Sequence, residues 1–380
     1  MNHYYNPVRT IQGFGCISCL PEVLKEMDLT DGRILLLIWS ETVLRLPAFT
    51  ELQRKDSSFR IRTMIFEASN PTVEQLFDAY RNTKDFAPEV VIAVGGGSIM
   101  DVGKSLCCLY GSEITDTDAL RELIQNKGYR NPTARWIGVP TTAGTGSEVT
   151  CWATIWDPAK NAKRSVEHHE NYAYAALADP ELASKMPLKL AVSSALDAMA
   201  HAVESYWARG TNCISRALAL NAIQIIMQNI EGLFSGLDEA HDAMARGSML
   251  AGLAFSNTKT TACHSISYPL TMRYGIPHGT AVSMLLAPIL QLNAACIDGL
   301  NDLYGALGVT GAEELESRIQ GILCRSGQPA SLQEWGVKQE DLPYLAQSGL
   351  TKGRADNNPV KITTELIQSV LESIYPITCK

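Results

Sequence analysis

The chain has 380 residues, 46% of them hydrophobic and 19% charged, which is enough for two domains with sizeable cores and too apolar for intrinsic disorder. A formal net charge of −8 argues against broad binding to nucleic acid or an anionic membrane, so any anionic ligand must be held by a local cluster of cations. The ten cysteines form no paired Cys-x-x-Cys units suited to a zinc knuckle, MNHYYNPVRT lacks an apolar leader, and no uninterrupted apolar run is long enough to span a membrane; a cytoplasmic protein with reduced thiols is expected.

Taken in chain order, Cys16 and Cys19 in GCISCL have Cys-x-x-Cys spacing without a second pair, in a stretch that reads as a turn into a helix. Residues 34–39 predict a buried strand and 72–82 a helix, and the β-branched run 89–94 predicts a second buried strand. Gly95, Gly96 and Gly97 break that run where a helix through Met100, Val102 and Leu106 begins, with Ser98 as its expected cap. A glycine turn between strand and helix lets the backbone approach a pyrophosphate, and the free amides and positive dipole end of the helix would hold it. Asp101, one turn in, can accept from ribose hydroxyls or simply favour the dipole; the sequence leaves both open. After a third strand at 136–139 comes PTTAGTGSEVT, in which Thr141, Thr142, Thr145, Gly146 and Ser147 present hydroxyls and amides that can line a nicotinamide or phosphate pocket or form an ordinary polar turn.

The strand and helix rhythm up to Asp179 and Pro180 is that of a parallel sheet with crossover helices. Beyond it the spacing is helical throughout, with segments at 215–230, 239–255, 279–296 and 364–375 and no strand, and Pro187 opens a new helix. The expected boundary gives an α/β dinucleotide-binding domain over 1–183 and an all-helical metal-binding domain over 184–380. In the second, Asp197 and His201 stand four apart and share a helical face; His264 and His278 follow on two later segments. One carboxylate and three imidazoles suit a divalent first-row metal such as Fe²⁺, Zn²⁺ or Mn²⁺, although a lone Asp-x-x-x-His also arises by chance in many helices.

NPVRTIQGFG, GGGSIMD, PTTAGTGSEVT, LADPEL, DAMAHAVESY, AGLAFSN and PHGTAVSMLL, in this order, resemble the iron-dependent alcohol dehydrogenase family over nearly the whole chain. The resemblance implies the dehydroquinate synthase-like architecture, an N-terminal α/β dinucleotide domain and an all-α C-terminal domain with a metal in the cleft between them, and a homodimer or larger assembly. It carries the family's metal ligands onto Asp197, His201, His264 and His278. Its cofactor contacts fall on Gly95, Gly96, Gly97, Ser98, Thr141, Thr142, Thr145 and Lys163, the last in a lysine-containing strand at KRSVEH. Where NAD-selective members place an aspartate, this chain has Ser40, with Glu41 and Arg45 nearby, so NADPH is admitted beside NADH.

The implied chemistry is hydride transfer between a nicotinamide and a small aldehyde whose oxygen is polarised by the metal. Many members carry a further histidine four residues after the third ligand; here Tyr268 stands there, either as proton donor or as a packing tyrosine. HSISYPLTMRYGIPHG, KRSVEH and GRADNNPVKI resemble the branch that includes phosphonoacetaldehyde reductase, while branches acting on sugar-derived carbonyls share the tyrosine. A phosphonate needs a basic clamp, for which Arg164, Lys259, Arg273 and Arg354 are available. Two other readings are a dehydroquinate-synthase-like lyase, which would use a glutamate as first ligand, and a scaffold on a retired enzyme fold.

Overall fold

The computed structural model describes residues 3–54, 58–129, 131–160, 162–351 and 353–376. Its strands are β1 Arg9–Gln12, β2 Arg33–Ile38, β3 Arg60–Ile65, β4 Val90–Gly95, β5 Arg135–Pro140, β6 Trp152–Asp157, β7 Ala162–Glu167 and β8 Ala175–Ala178. Six form a parallel sheet in the order β1-β8-β5-β4-β2-β3, and β6 and β7 form a separate antiparallel ribbon.

Strand β2 is RILLLI because both of its faces are covered, so every second residue enters a different core. Leu35 and Leu37 pack with Val73, Leu76, Met100 and Val102 of helices Val73–Thr83 and Gly97–Leu109, whereas Ile34, Leu36 and Ile38 pack with Leu20, Val23, Leu24 and Phe49 on the other side. Helix Val73–Thr83 starts at a capping box between Thr72 and Gln75. The pairings Ile38 to Val94 and Gly95 to Pro140 set the C-terminal ends of β2, β4 and β5 side by side. Ser40, the Gly95–Gly97 turn and Thr141 therefore follow three neighbouring strand ends, the edge where open α/β sheets bind ligands.

By packing, the chain divides into a sheet unit of Asn6–Thr142 and Ser147–Ala183, and a helical unit of Ser184–Lys380 joined by Ala143–Gly146 and the N-terminal segment up to Tyr5. The PTTAGTGSEVT loop is thus split between units, which a boundary drawn along the sequence does not provide for. In the helical unit Leu188–Trp207 packs against Cys213–Asn229, Asp238–Thr258 and His278–Asn293, and Ala262–Tyr274 packs against His278–Asn293. Among the described residues no strand follows β8. Two helical stretches, Cys213–Ser235 and His278–Cys296, are long and apolar enough by length and composition to reach across a bilayer, though polar residues such as Arg216 and Gln224 interrupt the first; 39% and 67% of their apolar windows are buried inside the protein.

Candidate metal centre

Helix Leu188–Trp207 begins after Pro187 and buries nearly its whole surface from Ala191 onward, so the polar side chains inside it need partners there. Asp197 and His201 lie one turn apart on it, 5% and 7% exposed. His264 is the third residue of helix Ala262–Tyr274, and His278 is the first of helix His278–Asn293. Asp197, His201 and His264 each offer a ligand atom within 4.8 Å of the others. His278 Nε2 is 3.8 Å from Asp197 Oδ1, and its side chain is 36% exposed. The rings of His201 and His264 stack at 4.3 Å, with Phe255 at 4.3 Å from His201.

Asp197 Oδ1 and His264 Nε2 are 3.5 Å apart, both fully buried, and neither has a hydrogen-bond partner. Two orphaned buried polar atoms facing each other are costly unless a cation joins them. Three imidazoles and a carboxylate are the donor set that Fe²⁺, Zn²⁺ or Mn²⁺ accepts, so the residues fit a divalent metal. The outer nitrogens are engaged as ligating histidines require. His264 Nδ1 meets Glu204 Oε2, His201 Nδ1 meets Gly144 O at 3.3 Å, and His278 Nδ1 meets Ser267 Oγ at 3.5 Å.

Glu204 does more than orient His264. Its Oε1 accepts from Thr261 Oγ1 and from the Cys263 amide, both at 2.7 Å, and so caps the helix that carries His264. Burial raises its pKa, but the charge and hydrogen bond of His264 outweigh this and hold it at about 2. Burial likewise raises Asp197, and the surrounding imidazoles bring it below the usual carboxylate range. Burial pushes His201 down to about 4 despite Asp197, leaving it neutral and able to ligate. The loop segment Ala143–Gly146 packs closely here: a Cβ on Gly144 would lie 2.8 Å from Ser194 O, and Gly146, at φ +55, would place one 2.5 Å from Gly252 Cα. Sequence reasoning missed Glu204 and the Gly144 carbonyl; the spacing of 197, 201 and 204 on one helical face was the available signal for Glu204.

Tyr268, one turn after His264, is 7% exposed, and its ring lies parallel to that of His278 at 5.8 Å and 9°. Burial pushes its phenol up to about 12, with Arg354 opposing. Of the basic side chains considered for an anion, Arg164 donates at 2.6 Å to Asp157, whose buried carboxylate also receives Arg121 at 3.1 Å. Arg273 bonds to Asp341 at 2.7 Å and lies over Tyr344. Lys259 ends helix Asp238–Thr258 at φ +61. Arg354 lies 5.7 Å from the Tyr268 ring centroid.

In the sheet unit, the helix after the glycine turn starts at Gly97 with Gly96 as its cap and no side-chain capping bond. Ser98 is therefore not the cap: it already lies inside the helix, and its Oγ accepts from the Asn70 amide at 3.0 Å. A Cβ on Gly96 would come within 3.3 Å of Thr142 Cγ2, so the turn lies against the second loop; the Ile99 and Met100 amides bond to Gly96 O at 3.1 and 3.3 Å, which leaves the amides of Gly97 and Ser98 without an intrahelical acceptor. This cradle fits a pyrophosphate. Asp101 accepts from Ser147 Oγ at 3.1 Å and the Thr154 amide at 3.0 Å, with Lys104 Nζ at 3.8 Å, so its carboxylate ties the helix to the loop and to β6. Ser40 caps the short helix Glu41–Arg45 through the Thr42 amide. Lys163 lies on β7, over Trp156 at 5.4 Å.

Residues 7–180 match a family model described as iron-containing alcohol dehydrogenase, and 191–375 match one described as the C-terminal part of the Fe-containing alcohol dehydrogenase family. The chain is 28% identical over 375 residues to lactaldehyde reductase of Escherichia coli strain K12, covering 96% of this chain and 97% of that one. It is 30% identical over 299 residues to 1,3-propanediol dehydrogenase of Klebsiella pneumoniae, covering 76% of each. A crystal structure of sulfoacetaldehyde reductase from Bifidobacterium kashiwanohense in complex with NAD+ matches with a TM-score of 0.89 at 25% identity over 99% of both chains.

Proposed function

Since the chain belongs to the iron-containing alcohol dehydrogenase family and is thereby an oxidoreductase using a divalent metal and NAD(P), we propose that it reduces a small aldehyde to a primary alcohol with NADH or NADPH, and that this aldehyde is phosphonoacetaldehyde, giving 2-hydroxyethylphosphonate. The observation that carries the reading is the facing pair of orphaned atoms, Asp197 Oδ1 and His264 Nε2, among three imidazoles.

Asp197, His201, His264 and His278 would hold the metal, and what such an ion supplies when bound is Lewis acidity toward a carbonyl oxygen. Glu204 keeps His264 in the tautomer that leaves Nε2 free, and Gly144 O does the same for His201. The Gly95–Gly97 turn, Ser98, Thr141, Thr142 and Lys163 bind the dinucleotide, with Thr145, Gly146 and Ser147 extending that loop and Asp101 bracing it. When bound, the reduced nicotinamide would supply a hydride for the aldehyde carbon, and with a proton delivered to the oxygen the aldehyde and NAD(P)H would give the alcohol and NAD(P)+. Tyr268 serves the proton step as donor: its ring lies parallel to that of the candidate ligand His278 at 5.8 Å, and its phenol carries a proton at neutral pH, although burial makes it a weaker acid.

The anionic aldehyde draws support from the neighbouring structure, which is named for sulfoacetaldehyde, an aldehyde bearing a sulfonate; the two curated relatives are named for uncharged three-carbon substrates and support the small size alone. Initial rates of NADH and NADPH oxidation by protein reloaded with Fe²⁺ or Zn²⁺ test it, with phosphonoacetaldehyde beside uncharged aldehydes of similar size. Preference for the phosphonate is expected; turnover of uncharged aldehydes alone would discard the phosphonate, and no oxidation with any carbonyl would discard the reductase.

A further inference from the structure

Arg354 differs from the other arginines near this centre in what it lacks. It is half-buried, just ahead of the short helix Ala355–Asn357, and among the described residues its guanidinium makes one hydrogen bond, from Nη1 to Thr260 Oγ1. No carboxylate lies within ion-pair distance of it among the described residues. Arginines with a purely architectural part look different in this protein: Arg209 donates to the carbonyls of Asn358 and Pro359, Arg318 to those of Leu307 and Met227, and Arg164 to Asp157. A partly buried guanidinium held at one corner keeps its remaining N–H groups open to a ligand, and the planar fork is shaped for a tetrahedral or carboxylate oxyanion.

Its surroundings are built rather than incidental. Asn357 donates to Thr258 O at 2.8 Å and Thr260 O at 3.1 Å, the Thr351 amide donates to Ser265 Oγ at 2.8 Å, and Asn358 exchanges bonds with Asn293 at 2.8 and 2.9 Å. The loop carrying Arg354 is thereby tied to the helices that carry His264 and His278. The guanidinium lies over Tyr268, and Tyr268 lies parallel to His278, so two ring spacings lead from Arg354 to a candidate metal ligand.

We propose that Arg354 binds the far end of the substrate, and that the substrate class is a small aldehyde ending in a tetrahedral oxyanion, phosphonate or sulfonate. This rests on the aldehyde-reductase reading of the same site. Tyr268 spaces the anion from the reacting carbonyl and holds the guanidinium through its ring. With a net charge of −8, the protein has no global field to gather such a substrate, so recognition falls to a local cation, and the half-buried Arg354 supplies it.

The test uses metal-loaded full-length protein with Arg354→Gln and Arg354→Lys. We expect Arg354→Gln to lower the ratio of kcat/KM for phosphonoacetaldehyde or sulfoacetaldehyde over that for butanal by roughly 100-fold, mostly through KM, with Arg354→Lys recovering part of it as a point charge without the fork. Calorimetric titration with the product anions 2-hydroxyethylphosphonate and 2-hydroxyethanesulfonate gives a readout independent of turnover. The glutamine variant should bind them more weakly by at least about 10-fold, and the tighter of the two on wild type identifies the headgroup. Equal losses for charged and uncharged aldehydes, or unchanged binding of both product anions, would overturn the proposal. Absence of turnover with every aldehyde would sink the reductase reading instead, while the titration still decides Arg354.

Discussion

Glu204 carries no substrate chemistry, yet three bonds converge on it, from Thr261, Cys263 and His264. Glu204→Gln preserves the shape and removes the charge that holds His264, so metal affinity should fall 10- to 100-fold; competition with a chromophoric chelator measures it, and a change under twofold would contradict the assignment. Glu148 offers a separate test through pH. It is buried, and burial pushes it from 4.5 up to about 6, its own amide and Lys104 opposing. Its folded pKa exceeds the unfolded one, so the folded state binds the proton more tightly, and stability from this group is present below about 4.5 and lost as pH rises toward 6. Relative to wild type, Glu148→Gln should therefore gain up to about 2 kcal/mol between pH 4.5 and 7 in urea unfolding; a constant difference across that range would refute it. At this scale residue type and spacing made the four candidate ligands legible. Glu204 was equally readable from its helical face, whereas the Gly144 carbonyl was not, because a backbone group carries no letter of its own.

At the scale of elements, the centre depends on how closely two helices approach. A Cβ on Gly279 would lie 1.9 Å from Ser193 O and 2.9 Å from Asp197 Cβ, so helix His278–Asn293 can reach helix Leu188–Trp207 only with glycine there. Gly279→Ala should cost about 1–3 kcal/mol and draw His278 from Asp197, lowering both Tm and metal affinity. Unchanged values of both would show that the approach is not needed. The buried strands β2, β4 and β5 were plain in the sequence because both faces are apolar. Strand β3, RIRTMI, was hidden because an edge strand exposes its arginines, and β8, AALA, because alanine favours no strand and is held there by β1 and β5. Helix Ala262–Tyr274, which carries His264 and Tyr268, was obscured by Pro269 inside it.

For the whole molecule, a metal that binds only the folded state adds stability by mass action. At free Zn²⁺ or Fe²⁺ about 1,000-fold above Kd, wild type should gain about 4 kcal/mol, seen as a rise in Tm that a chelator reverses and that Asp197→Ala abolishes. The two-part organisation was legible in the change from strand-and-helix rhythm to helical spacing, while the splitting of one loop between two units depends on packing that no local pattern encodes. The most direct measurement is elemental analysis of protein stripped, reloaded with Fe²⁺ and desalted, beside His264→Ala. One ion per wild-type chain and almost none in the variant are expected; equal metal in both, or none in wild type, would contradict the metal centre and the chemistry built on it.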